Sequence, residues 1–250
     1  MYKKLFTVFA AIMLFPCVAQ AEGEWDFKLT PYAWFAGVKG NASTVPGSPV
    51  VPIDVSPSDA LSDSQASFMV FFEAKQQQHG MLFDILYTDS ESDSTLVDAI
   101  NLTLKSISRN KMFSAAYEYE FYNNDKTVFD GFAGVRYWKV DTIMEFGIGG
   151  NPLSGRTIRN AESWVDPLVG IKGSTPLGNS NFYVAGWLAG GGFGVGSDSF
   201  YDVSANIGYQ WNKSIGTTIG YRLFNVDYEN GTFIYDIQQE GWALGLTWAF

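Results

Sequence analysis

Proton transfer near neutral pH needs a side chain that titrates there, and this 250-residue sequence holds one histidine, His79. It stands in Gln77-Gln78-His79-Gly80, between two apolar segments, where it reads as a turn residue and not as a general base. The single cysteine, Cys17, excludes a disulfide framework and a thiolate zinc cluster. Gly191 to Asp198, GGFGVGSD, contains G-x-G-x-G, but neither a helix nor a Lys-Ser/Thr pair follows, as phosphate cradling would require. Those glycines read as a tight hairpin that needs positive φ. Thr88 to Ser94, and Asp198 with Asp202, offer hard oxygens for Ca²⁺ without EF-hand spacing, so they read as solvated acidic loops. No metal or cofactor is expected, and no catalytic residue is assigned.

A different set of charges remains. Glu118, Asp130, Arg136, Asp166, Asp202 and Arg222 recur at alternate positions of strand-like segments, on the faces that also carry Lys28, Glu73, Lys75, Asp84, Glu120 and Lys172. Trp34, Phe71, Phe132 and Trp138 share those faces. Mixed charges confined to a narrow interior either pair and seal it or line a thin polar path, and pairing is favoured because an unpaired buried charge is expensive. Arg136 with Asp166 or Asp130, and Arg222 with Asp202, are the pairs that neighbouring strands offer.

The elements that must position these charges begin after an address segment. Lys3 and Lys4, the apolar run Leu5 to Phe15, and Ala19-Gln20-Ala21 form a secretory signal peptide over 1–21. Pro16 before Cys17 suits lipoprotein processing badly. The exported part, 22–250, is free of cysteine and acidic, and the whole chain carries a net charge of -10, which argues against nucleic acid as a partner. No segment is long and apolar enough for a transmembrane helix.

What recurs is alternation with period two, in segments of about ten residues. From Tyr201 to Trp211 the odd positions give Tyr, Val, Ala, Ile, Tyr and Trp, and the even ones Asp, Ser, Asn, Gly and Gln. Trp242, Leu244, Leu246, Trp248 and Phe250 repeat the pattern at the end of the chain. Ten strands are expected, over 25–40, 66–76, 81–87, 102–122, 127–140, 161–173, 181–190, 200–211, 214–224 and 233–250, with eight or twelve as the alternatives. Gaps after odd-numbered strands are long and those after even-numbered strands short. That parity, with aromatics at the ends of the apolar faces, is the signature of an all-β, closed, antiparallel up-and-down transmembrane barrel. Lipid cannot satisfy an open sheet edge, so a spanning sheet must close.

Gly245-Leu246-Thr247-Trp248-Ala249-Phe250 resembles the C-terminal assembly signal of bacterial outer-membrane β-barrel proteins. Gly245, Trp248 and Phe250 match it, while Ala243 stands where a polar residue is usual. Trp164-Val165-Asp166-Pro167, GGFGVGSD, Gly220-Tyr221-Arg222, Asp227-Tyr228-Glu229 and Tyr235-Asp236 resemble a group of uncharacterised proteobacterial outer-membrane barrels. The resemblance implies the outer membrane of a Gram-negative bacterium, with lipid, lipopolysaccharide and the barrel-assembly machinery as partners, and it brings no assigned activity. The expected function is non-enzymatic, a structural barrel or a narrow low-conductance pore for small solutes. A cell-surface binding or adhesion module on loops 41–65 and 141–160 is the alternative. An outer-membrane enzyme ranks third, because the enzymes of this fold work at the outer face and His79 lies at the other end.

Overall fold

The computed structural model describes residues 25–97, 102–148 and 151–250, apart from 46 and 125. The signal peptide expected over 1–21 lies outside the described residues.

Residues with period-two alternation form long strands that pair in chain order. They are β1 (Trp25–Ser43), β2 (Val51–Val55), β3 (Ser64–Gln76), β4 (His79–Val97), β5 (Leu102–Asn123), β6 (Val128–Ile148), β7 (Asn151–Pro176), β8 (Phe182–Gly191), β9 (Ser199–Gln210), β10 (Ile215–Asn230) and β11 (Phe233–Ala249). Each is antiparallel to its neighbour, and β11 pairs back to β1, so the sheet closes. Ten strands form the ring. The additional strand, β2, pairs with β1 at Val38 to Ala42, beside the upper half of the strand whose lower half, Trp25 to Pro31, pairs with β3. The seam is completed by Phe250, whose backbone exchanges two hydrogen bonds of 3.0 Å with Phe27.

Two of the expected long loops are built differently. Residues 41–65 hold the end of β1, β2 and a short helix, α1 (Pro57–Asp63), started by Pro57 and capped by the Ser56 hydroxyl, which accepts from the Asp59 amide at 3.2 Å. Residues 141–160 are mostly strand, because β6 and β7 continue as a ladder from Asp141↔Ala161 to Ile148↔Asn151. The acidic run Thr88 to Ser94 is likewise strand, with Asp89 accepting from Arg109 Nε at 3.0 Å and Glu91 paired with Lys105 at 2.6 Å. The long-gap end is thus raised on strand extensions. The short-gap end holds the tight turns at 77–78, 177–181 and 211–214, and there the Asn124 amide donates to the Thr127 carbonyl at 3.2 Å.

The outward face carries an apolar band. On β9 to β11 it includes Ile207, Ile219, Trp242, Leu244 and Leu246, all exposed. On β4 to β7 one rung reads Ile85, Phe113, Tyr137 and Val165, also exposed and in register. A belt this continuous is unfavourable in water and suits lipid. Above it the outward positions of β11 turn polar at Glu240, Gln238 and Asp236.

The inward face divides by height. Towards the raised end it is a packed core of Trp138, Trp164, Phe200, Phe224, Val226, Tyr228, Phe233 and Ile237. Trp164 lies on Tyr228 at 3.8 Å between ring centres, nearly parallel. Towards the short-turn end the lumen widens into a chamber of about 1070 Å³.

Candidate functional site: the sealed lumen

Parity places Asp84 on β4, Arg136 on β6, Asp202 on β9 and Arg222 on β10 inside the barrel, and all four are buried. Arg222, 2% exposed, donates from Nε to Asp202 Oδ1 at 2.9 Å and from Nη2 to Asp202 Oδ2 at 2.7 Å. Nη2 also reaches Asp84 Oδ2 at 3.0 Å, and Nη1 donates to the Tyr32 hydroxyl at 2.9 Å, which in turn donates to Asp84 Oδ1 at 2.8 Å. The guanidinium lies 5.0 Å from the Trp34 ring centre and 5.2 Å from that of Trp187. Its planar fork makes four hydrogen bonds to two carboxylates and a phenol, one more than the three N–H donors of a lysine could supply.

Arg136 takes a partner different from those its neighbouring strands offered. Asp166 is its register partner across the ladder, yet Arg136 Nη2 crosses the lumen to Asp202 Oδ2 at 2.9 Å. Its Nε donates to Ser114 Oγ at 2.8 Å, and its guanidinium lies 4.8 Å from the Phe200 ring centre. The reason is saturation. Asp166 already accepts from Trp138 Nε1 at 2.8 Å, Trp164 Nε1 at 3.2 Å, the Ser197 amide at 2.6 Å and the Ser197 hydroxyl.

These contacts also explain the GGFGVGSD segment. Gly192 and Gly194 adopt φ of 86° and 73°, as a tight hairpin requires, and Phe193 joins them at 51°. The turn folds back so that Asp166 holds Ser197. At Gly196 an added Cβ would meet Asp166 Oδ1 at 2.5 Å and the Val165 carbonyl at 2.5 Å, so only glycine fits.

A second charged layer lies nearer the short turns. Lys172 on β7 meets Glu73, Glu118 at 2.8 Å and Asp130 at 3.5 Å. Lys75 pairs with Asp130 at 2.6 Å and Glu120 at 2.8 Å, and Lys28 with Glu73 at 3.0 Å. Asp130 therefore belongs to the lysine layer and not to Arg136. Glu118 is fully buried, with Lys172 as its cation.

Between the arginine layer and the aromatic core remains a void of about 20 Å³, room for about one water. The large chamber lies below, bounded by Tyr32, Phe71, Asp84, Trp187 and Arg222 and reaching the turn residues Gln77, Gln78 and Lys126. It is a cup open at the short-turn end.

His79 is the first residue of β4 and not part of the turn, which consists of Gln77, with φ of 55°, and Gln78. Its Nδ1 is hydrogen-bonded to the Tyr117 hydroxyl on the outer wall, at the end opposite the core. At the seam, Gly245 faces the lumen beside Thr218 and Thr30, while Trp248 and Phe250 face outward with ring centres 4.9 Å apart. The expected set lacks Tyr32, Ser114, Trp164, Trp187 and Ser197. Tyr32 shares parity with Lys28 and Trp34, and Ser114 with Glu118, so alternation held a signal for both; Ser197 comes from a loop and had none.

These features define a class, a closed ten-strand antiparallel barrel with charged layers and an aromatic core inside and an apolar exterior, the fold of outer-membrane barrels. Its fold is similar to that of the outer-membrane protease OmpT from Escherichia coli, with a TM-score of 0.57 and 9% identity over 93% of this chain and 99% of that one. The transport unit of the autotransporter AIDA-I from E. coli follows at 0.42, with 7% identity over 96% and 94% of the two chains. Neisserial surface protein A gives 0.30, with 11% identity over 90% and 97%. The last two scores are too low to carry an argument. No family profile and no curated protein matches the sequence.

Proposed function

We propose that this chain is a non-enzymatic, structural barrel of the bacterial outer membrane whose lumen does not conduct. The observation that carries the reading is the arginine layer, in which Arg136 and Arg222 share Asp202 Oδ2 beneath a packed aromatic core. An open pore keeps its charges solvated, whereas these are bonded to one another and to tryptophan. Lipid and lipopolysaccharide would surround the apolar band, and the assembly machinery would read the Gly245, Trp248 and Phe250 pattern. The lone His79 on the outer wall at the short-turn end supports the absence of acid–base chemistry at the raised end. Planar-bilayer recording tests the proposal. The wild type should show no steady conductance, and ohmic single-channel steps would replace it with the low-conductance pore for small solutes.

A second reading, surface binding, draws on strand length. Crossing the hydrocarbon takes about 9–11 tilted residues, while β5, β6 and β7 have 22, 21 and 26. The surplus forms a raised ladder over residues 88–97, 102–110, 139–148 and 151–163, which replaces the loop 141–160 as the surface offered to a partner. Retention of host or bacterial surface polymers by intact cells, lost when residues 143–158 are replaced by a two-residue turn, would favour it.

A further inference from the structure

Two lysines face each other at the upper border of the apolar band. Lys111 on β5 and Lys139 on β6 are register partners, and both project outward, since their neighbours Met112 and Trp138 are buried inside. Like charges directly opposite on a sheet destabilise the pairing unless an anion joins them. Their own rung offers none, for it reads Tyr87, Lys111, Lys139 and Ser163. One rung higher, Asp89 is taken by Arg109 at 3.0 Å, and Asp141 pairs with Lys139 at 3.6 Å, which leaves Lys111 as the cation without an anion. Among the described residues Lys111 has no carboxylate within ion-pair distance, and its Nζ sits 5.8 Å from the Tyr87 ring centre.

The rung directly below is the apolar one, Ile85, Phe113, Tyr137 and Val165. Two ammonium groups thus stand one step above an exposed aliphatic and aromatic wall, on long stems that can rise to an interface. The opposite wall is different: the first polar outward position above Trp242 on β11 is Glu240. The border is cationic on the β5–β6 face and acidic on the β11 face.

We infer that the Lys111–Lys139 step with the apolar wall beneath it is a binding site for a phosphorylated lipid of the outer leaflet, its phosphate bridging the two ammonium groups and its acyl chains lying on Phe113, Tyr137 and Val165. The inference rests on the reading that this barrel spans the outer membrane. A lipid phosphate gives Lys111 the anion that Asp141 already gives Lys139, screens the two ammonium groups from each other and lets the acyl chains cover the apolar rung in the same contact.

The test uses the full chain folded in detergent micelles, titrated with lipid A, with the same lipid stripped of its phosphates, and with inorganic phosphate, and read by native mass spectrometry. Each lysine at an anionic surface contributes about a factor of five in affinity, so Lys111→Gln with Lys139→Gln should bind lipid A about thirty-fold more weakly than wild type. The single change Lys111→Gln should cost about five-fold, Lys105→Gln should cost nothing, and the stripped lipid should bind wild type as weakly as lipid A binds the double variant. Equal binding of lipid A by wild type and double variant, or of lipid A and its stripped form by wild type, overturns the site. Displacement of lipid A by millimolar inorganic phosphate overturns the assignment to a lipid. Heat-modifiable gel mobility is followed in every sample. A wild type without it would refute the membrane-spanning reading itself, a failure distinct from loss of lipid binding in a folded variant.

Discussion

Replacing Arg222 by alanine tests the sealed lumen most directly. The side chain is buried and supplies four hydrogen bonds to Asp202, Asp84 and Tyr32. Its loss does not strand the two carboxylates equally. Asp202 keeps Arg136 at 2.9 Å and Trp187 Nε1 at 2.9 Å, whereas Asp84 keeps the Tyr32 hydroxyl at 2.8 Å. The damage therefore concentrates at Asp84, a carboxylate without a nearby cation, and removing one partner of such a buried pair costs about 3–5 kcal/mol. Neutralising the stranded group should return part of it, so Arg222→Ala with Asp84→Asn should be about 1–3 kcal/mol more stable than the sum of the single changes implies. Unfolding in urea from detergent micelles, followed by tryptophan fluorescence, reads both quantities, because Trp34 and Trp187 flank the guanidinium. Bilayer conductance on the same variant should rise, since one side of the seal is gone. If Arg222→Ala costs under about 1 kcal/mol, as a solvated pair would, and conductance is unchanged, the arginine layer is refuted as the seal of the lumen.

Four further outcomes are expected. Arg at Ile207, on the lipid-facing side, should cost about 2–4 kcal/mol, and Arg at Asn206, which borders the chamber, should cost less; equal costs would reverse the assignment of faces. Asp166→Ala removes an acceptor shared by four donors, of which Trp164 Nε1 keeps the Ser197 hydroxyl at 3.0 Å, and should free the 192–198 turn, seen as new protease cleavage there in an otherwise folded barrel. Deleting Phe250 removes both backbone bonds to Phe27 and should lower the amount of assembled barrel in the outer membrane, so normal levels would count against the seam. Above the apolar band, burial and then the neighbouring Asp236, Asp198 and Glu229 carboxylates hold the Asp227 carboxyl above the usual range for aspartate. A raised carboxyl binds its proton better in the folded state, so stability should fall as pH rises from the unfolded value towards and through the folded one, and Asp227→Asn should flatten that slope.

Alternation carried much of the fold. In β9 the even residues Asp202, Ser204 and Asn206 face inward and the odd ones outward, and a one-residue slip would have exchanged every face. Strand ends were less legible, since Phe146 to Gly155 is rich in glycine and holds a proline, composition that reads as loop although the ladder continues through Gly147↔Pro152. The site followed the same division. Inwardness is a local property, written in parity, and parity pointed Asp84, Arg136, Asp202 and Arg222 to the interior, where all four are buried. Partnership is a property of closure. Nothing near Arg136 in sequence reveals that β9 stands across a narrow lumen from β6, or that a serine thirty-one residues beyond Asp166 has already occupied that carboxylate.

The seam between β1 and β11 has a kinetic consequence. Lys28 pairs with Ala249, so the first strand waits for nearly the whole chain before its second edge is filled. Contacts of such sequence separation pay loop-closure entropy before they return any energy, which makes folding slow. Until that last pairing forms, β1 and β11 both present bare amide edges, and bare edges are what lipid excludes and what other unfolded chains seize upon. A half-built sheet can therefore neither enter the bilayer on its own nor wait safely in water. Insertion and ring closure must be one event, and the time between release of the C-terminus and that event is when this chain is most open to aggregation.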